Sequence, residues 1–134
     1  MLAIHGNNMK ITVIGAGAIG IVIAASLDTK NEVSVLVKPE NYNKLVKNGI
    51  WIIEGDKKRK IMAKIVTEVI DSEIVIISVK SYDLQSTKKL LESFTGKVII
   101  CQNGLKMLDF SLSNNNEIYS IVTSIGATSP ELGV

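Results

Sequence analysis

Lys10-Ile11-Thr12-Val13-Ile14-Gly15-Ala16-Gly17-Ala18-Ile19-Gly20 joins a short β-branched run to glycines in the spacing G-x-G-x-x-G. From Met9 to Ile14 the run reads as a buried parallel strand, because it is short, rich in β-branched residues and ended by a glycine-rich turn. From Ala18 to Leu27 small and aliphatic residues persist, and Asp28-Thr29-Lys30-Asn31 closes the segment, as expected of a tightly packed helix. A glycine turn between strand and helix has a specific physical use. Gly15 permits the tight turn, Gly17 lets a diphosphate approach the backbone without meeting a Cβ, and Gly20 lets the helix pack closely on the sheet. The helix then opens with unpaired N–H groups and a partial positive charge. Gly15, Ala16, Gly17, Ala18, Ile19 and Gly20 are therefore expected to cradle the diphosphate of a dinucleotide, more so because a second strand follows within about 30 residues.

Working outward, Glu32 to Val37 reads as the second strand, which Lys38-Pro39-Glu40 breaks because proline offers the ladder no donor. Asn41 to Lys47 has helical spacing and ends at Asn48-Gly49. Ile50 to Glu54 and Lys60 to Val66 look like two arms of an antiparallel hairpin, with Gly55 to Arg59 as its tip. Glu73 to Val79 reads as a strand, Leu84 to Phe94 as a helix and Lys97 to Cys101 as a strand. Leu105 to Leu112 reads as a short helix and Glu117 to Ile125 as a last strand. The expectation is an α/β domain over residues 9–134, after an extension over residues 1–8 in which His5 has no assigned role. Its sheet is doubly wound and mostly parallel, a Rossmann sheet with a β-hairpin insertion, and its ligand crevice lies at the carboxyl ends of the strands.

Composition narrows the function classes. A chain of 134 residues with 15 basic and 13 acidic side chains has the size of one domain and no general pull toward nucleic acid. The dense basic run Lys57-Lys58-Arg59-Lys60 reads as a solvated hairpin tip. The single cysteine, Cys101, follows Val98-Ile99-Ile100, so a buried small-hydrophobe role is expected and no intrachain disulfide is possible. No membrane span, export signal or metal-ligand constellation is read, and a cytoplasmic location is expected.

Lys38 stands at the end of the second strand, the position that faces the adenosine ribose in such folds. An acid there suits the free hydroxyls of NAD, whereas a cation suits the 2′-phosphate of NADP, so NADP (NADPH) is the expected coenzyme. The rival reading makes Lys38 an ordinary exposed lysine and gives the ribose to Glu40. Three other polar turns follow apolar strands: Ser78-Val79-Lys80-Ser81-Tyr82-Asp83, Gln102-Asn103-Gly104, and Thr123-Ser124-Ile125-Gly126-Ala127. Lys80 and Asn103 are candidates for the crevice, although a turn-capping lysine and a tight-bend asparagine explain them equally well.

Taken in order, the glycine motif, Val79-Lys80-Ser81-Tyr82-Asp83, Gln102-Asn103-Gly104-Leu105 and Thr123-Ser124-Ile125-Gly126-Ala127 resemble the ketopantoate reductases (2-dehydropantoate 2-reductases). The resemblance covers nearly all of the chain from Met9. It implies NADPH-dependent reduction of the 2-keto group of ketopantoate to pantoate, a step toward pantothenate and coenzyme A. It would place Asn103 beside the nicotinamide and substrate, as a catalytic residue, with Lys80 supporting and lining the cleft; Gly104 joins the cofactor-binding set. In that family the general-acid lysine belongs to a helical second domain, which is expected to be absent from these 134 residues. Coenzyme binding without turnover is the consequence, because a ketone that accepts hydride also needs a proton donor in a water-excluding pocket. The partners implied are a small 2-keto acid and either a second copy, as a homodimer, or a separate helical substrate-domain subunit. A stand-alone nucleotide-sensing regulatory module is the alternative; it accounts for the glycine loop but not for the Lys80 and Asn103 turns together.

Overall fold

The runs Ile74-Val75-Ile76-Ile77 and Val98-Ile99-Ile100-Cys101 are wholly apolar, which suits a sheet covered on both faces, and every one of these residues is buried. The computed structural model describes residues 8–78, 84–101 and 116–121. Its strands are β1 (Lys10–Ile14), β2 (Glu32–Leu36), β3 (Trp51–Glu54), β4 (Lys57–Lys60), β5 (Ala63–Val66), β6 (Ile74–Ile77), β7 (Lys97–Cys101) and β8 (Ile118–Ile121), and its helices α1 (Ala18–Leu27), α2 (Pro39–Asn48) and α3 (Leu84–Leu90). Six strands form one sheet in the order β5-β2-β1-β6-β7-β8, and every pair in it is parallel. The chain steps outward from β1 to β2 and β5, then returns to β6 on the other side of β1. The direction of winding therefore reverses between β1 and β6, where crevices open in doubly wound sheets.

The two-residue period of the strands divides the core. Ile11, Val13, Val33, Val35, Ile74 and Ile76 face α1 and the hairpin side, while Ile14, Leu36, Val75, Ile77, Val98 and Ile100 pack toward Leu91 and Phe94. Thr12, fully buried in the middle of β1, keeps its hydroxyl satisfied by sharing a 2.6 Å hydrogen bond with Ser72 Oγ.

Three boundaries differ from the sequence reading. The run Lys60 to Val66 is not one arm of a hairpin. Only β4 pairs antiparallel with β3, across a Gly55-Asp56 turn, while β5 leaves to become the edge strand beside β2. The basic run is accordingly a strand and not a tip: Lys57, Lys58, Arg59 and Lys60 are all exposed along β4, and Lys58 Nζ stands 5.0 Å from the centre of the Trp51 ring. The division falls at Ile61, which is buried and donates its N–H to the Ile50 carbonyl at 2.8 Å, closing the hairpin's base. Helix α2 begins at Pro39, earlier than the proline-as-breaker reading allows, since a missing N–H is no loss at the first helical position. Helix α3 stops at Leu90, because Leu91, Glu92 and Phe94 donate to carbonyls three residues back and tighten the chain out of the α-helix.

Candidate functional site

At the carboxyl end of β1 the chain turns sharply into α1. Gly15 has φ 111°, a conformation in which an L side chain is strained, and its N–H donates to the Leu36 carbonyl of β2 at 3.0 Å. Gly17 is the N-cap of α1, with φ −80° and ψ −174°, and no side chain caps the helix. The first-turn N–H groups thus lack the side-chain acceptor that usually satisfies one of them. No acidic residue occupies that turn either, so the positive end of the helix is left to an incoming anion.

Gly17 and Gly20 differ in what a side chain would meet. A Cβ at Gly17 would have nothing within 4 Å, whereas a Cβ at Gly20 would overlap the Gly15 carbonyl oxygen and come within 2.6 Å of Ser78 Oγ. The fold itself therefore requires glycine at 20. At 17 it does not, and the free volume lies over a helix start with uncapped donors. A diphosphate would fit the open space and uncapped donors of this loop.

The neighbouring strand ends complete the described part of the edge. Past the end of β2, Val37 N–H is held by the Val66 carbonyl at 2.9 Å, and Lys38 follows as the exposed N-cap of α2, in extended backbone and without a side-chain cap bond. Glu40 lies in the first turn of α2, where its charge suits the positive helix end. Parallel register pairs Ile14 with Leu36 and with Ile77, so Gly15, Lys38 and Ser78 emerge on one edge. Lys80, Asn103 and Gly104, together with the Thr123 to Ala127 turn, lie outside the described residues. The strands that precede Lys80 and Asn103, β6 and β7, end at that same edge.

Cys101, at the end of β7, is 1 % exposed, and burial pushes its thiol up to about 11. A thiol so held stays protonated and is no nucleophile at neutral pH, as its expected role in the core requires.

Two features escaped sequence reasoning. Ser78 Oγ donates to the Ile14 carbonyl at 2.9 Å, directly beneath the glycine loop. At the other end of α1, Asp28 is buried. Its Oδ2 accepts from Arg59 Nη1 at 2.7 Å and from Met62 N–H at 2.9 Å, and Arg59 Nη2 also donates to the Ala25 carbonyl at 3.0 Å. The hydrogen bond to Asp28 raises the guanidinium above its ordinary pKa. Asp28 and Arg59 are 31 residues apart in sequence, and neither position carries a local signal of the pairing.

Comparison with known proteins agrees with this geometry. Residues 11–134 match the family model described as ketopantoate reductase PanE/ApbA. A 2-dehydropantoate 2-reductase of Listeria monocytogenes is 28% identical over 131 residues, covering 90% of this chain and 44% of the relative. One from Aquifex aeolicus is 35% identical over 100 residues, covering 72% of this chain and 32% of its own. Among solved structures, a probable 2-dehydropantoate 2-reductase from Bacillus subtilis superposes with a TM-score of 0.81 at 24% identity, covering 92% of this chain and 44% of that one, which establishes the shared fold. This chain thus spans less than half the length of these relatives. A parallel sheet wound outward from a glycine loop and a family match running from the first strand to the last residue lead to one conclusion: the chain belongs to the ketopantoate reductase PanE/ApbA family.

Proposed function

We propose that this chain is the NADP(H)-binding part of a 2-dehydropantoate 2-reductase-type oxidoreductase. The observation that carries the reading is the uncapped start of α1 beneath open space at Gly17. Here the N–H groups of the Gly15 to Gly20 segment would hold the diphosphate. Lys38 would supply a point charge to the adenosine 2′-phosphate. It supports NADP over NAD because it leaves β2 in extended backbone at the crevice edge, while the carboxylate of Glu40 already answers the α2 dipole. Lys80, Asn103 and Gly104 are assigned to the nicotinamide and substrate side, with Asn103 as the catalytic residue that orients the keto group and Lys80 in support. A bound reduced nicotinamide would supply the hydride.

The substrate proposed is a small 2-keto acid of the ketopantoate kind, reduced at its 2-keto carbon to the hydroxy acid on the way to pantothenate and coenzyme A. Turnover needs a proton placed on the developing alkoxide and a pocket closed to water. We assign the proton donor to a helical second domain of the kind the relatives' greater length would accommodate. This chain alone is expected to bind coenzyme without oxidising it when ketopantoate is added.

Titration with NADPH, NADH, NAD and ATP tests the reading. NADPH should bind at least about tenfold more tightly than NADH, and Lys38→Asp should abolish that preference. Preferential binding of NAD or ATP would instead favour a nucleotide-sensing module, and ketopantoate-dependent NADPH oxidation by this chain alone would overturn the assignment of the proton donor elsewhere.

A further inference from the structure

We infer that Ser78 is a positioning residue for the diphosphate cradle, a role that rests on the coenzyme reading above. The last carbonyl of β1, that of Ile14, accepts twice from this one residue: from Ser78 N–H at 3.1 Å and from Ser78 Oγ at 2.9 Å. The other half of the same peptide group, Gly15 N–H, is held by Leu36 of β2 at 3.0 Å. The Ile14–Gly15 peptide plane is thus clamped from both neighbouring strands at the point where the glycine loop begins. The orientation of that plane sets where Gly15, at φ 111°, sends the chain.

The same hydroxyl also bears on the helix. Ser78 Oγ lies 2.6 Å from where a Cβ at Gly20 would stand, so it fills the space beneath the first turn of α1. One half-buried oxygen therefore touches both elements that shape the cradle, the peptide entering the loop and the helix leaving it. The sheet does not need this oxygen. The N–H of Ser78 already continues the parallel ladder, and it survives any side-chain replacement other than proline. Removing the hydroxyl frees one lone pair of the Ile14 carbonyl and lets the loop and the helix start shift against the strand ends while the fold remains. The loss then falls on ligands that use the diphosphate site and spares those that use only the adenosine end.

The test is Ser78→Ala in the full chain, titrated with NADPH, NADH and 2′-AMP, which lacks a diphosphate, with the thermal midpoint recorded beside them. NADPH and NADH should weaken by the same factor, roughly five- to tenfold, the range of one net hydrogen bond. Affinity for 2′-AMP should not change, which also establishes that the variant is folded. Unchanged dinucleotide affinity, or equal weakening of all three ligands, would overturn the positioning role while leaving the coenzyme reading intact. A wild-type chain that binds neither dinucleotide would sink the coenzyme reading and this inference with it.

Discussion

At its N-terminus α1 meets the sheet through bare backbone and offers uncapped donors to solvent, whereas at its C-terminus the same helix is closed by an ionic clamp between buried Asp28 and exposed Arg59. The first contact is steric: Gly20 rides on the Gly15 carbonyl and the Ser78 hydroxyl with no room for a methyl group. The second is polar. Asp28 sits at the negative end of the helix, an unfavourable place for a carboxylate, and is made tolerable by Arg59 and the Met62 N–H, while Arg59 also takes up the Ala25 carbonyl. The difference separates two tasks on one element. The closed end fastens the β3–β4 hairpin to the domain. The open end keeps its hydrogen-bonding capacity unspent, which is what a ligand site needs and a purely structural helix start lacks.

The strongest challenge to this division is Gly20→Ala. A methyl group there meets backbone that cannot rotate away, so the chain should lose about 3 kcal/mol of stability in denaturant unfolding, together with its coenzyme affinity. An unchanged midpoint would mean that α1 does not rest on the strand ends as described. Asp28→Ala removes the acceptor of two hydrogen bonds from a buried position and should cost about 2 kcal/mol. Arg59→Ala should destabilise in the same direction and by at least as much, since it leaves the buried Asp28 carboxylate at the negative helix end without its counter-charge. Neither change should alter NADPH affinity by more than about twofold, on the order of 0.4 kcal/mol; a larger loss would show that the two ends of the helix are not separable.

Gly17→Ala sharpens the contrast. Its backbone angles suit alanine and its Cβ would meet nothing within 4 Å, so stability should move by no more than about 0.5 kcal/mol. Its NADPH affinity should nevertheless fall about tenfold or more, because the methyl group enters the space assigned to the diphosphate. The effect of Cys101 appears only in alkali. Its thiol ionises near 9.0 when unfolded and at about 11 when folded, so between those values the unfolded state has released a proton that the folded state keeps. Stability should therefore decline as pH rises through that window and be unaffected by this group below it. Cys101→Ala should remove that share of the alkaline slope, and slow reaction of the folded thiol with a thiol reagent at pH 8 would agree.

The parallel sheet was legible because fully buried strands advertise themselves. The runs ending at Ile77 and Cys101 are too apolar to face water, and the glycine spacing between Ile14 and Ala18 marks a turn that feeds a helix. The hairpin was harder. Local alternation says that a segment is extended but not which strand it pairs with, so Lys60 and Ala63, which belong to different sheets, looked like parts of one arm. Proline at 39 reads as a break from the strand before it and as a helix start from the helix after it. Asp28 and Arg59 could not be joined in advance, because only the packing of the hairpin on α1 brings them together. Ser78 looked like any polar residue at the head of a turn. Lys80 and Asn103 stood out locally only as polar residues following apolar strands, which turn chemistry explains equally well; the functional weight placed on them and on Gly104 came from resemblance to a family.

The most direct measurement is the backbone amide spectrum of the isotopically labelled chain during titration with NADPH. The account predicts saturable shifts that are largest for the N–H resonances from Gly15 to Gly20, with a second group at Lys38 and the start of α2. Saturable binding that leaves the Gly15 to Gly20 amides unmoved would contradict it.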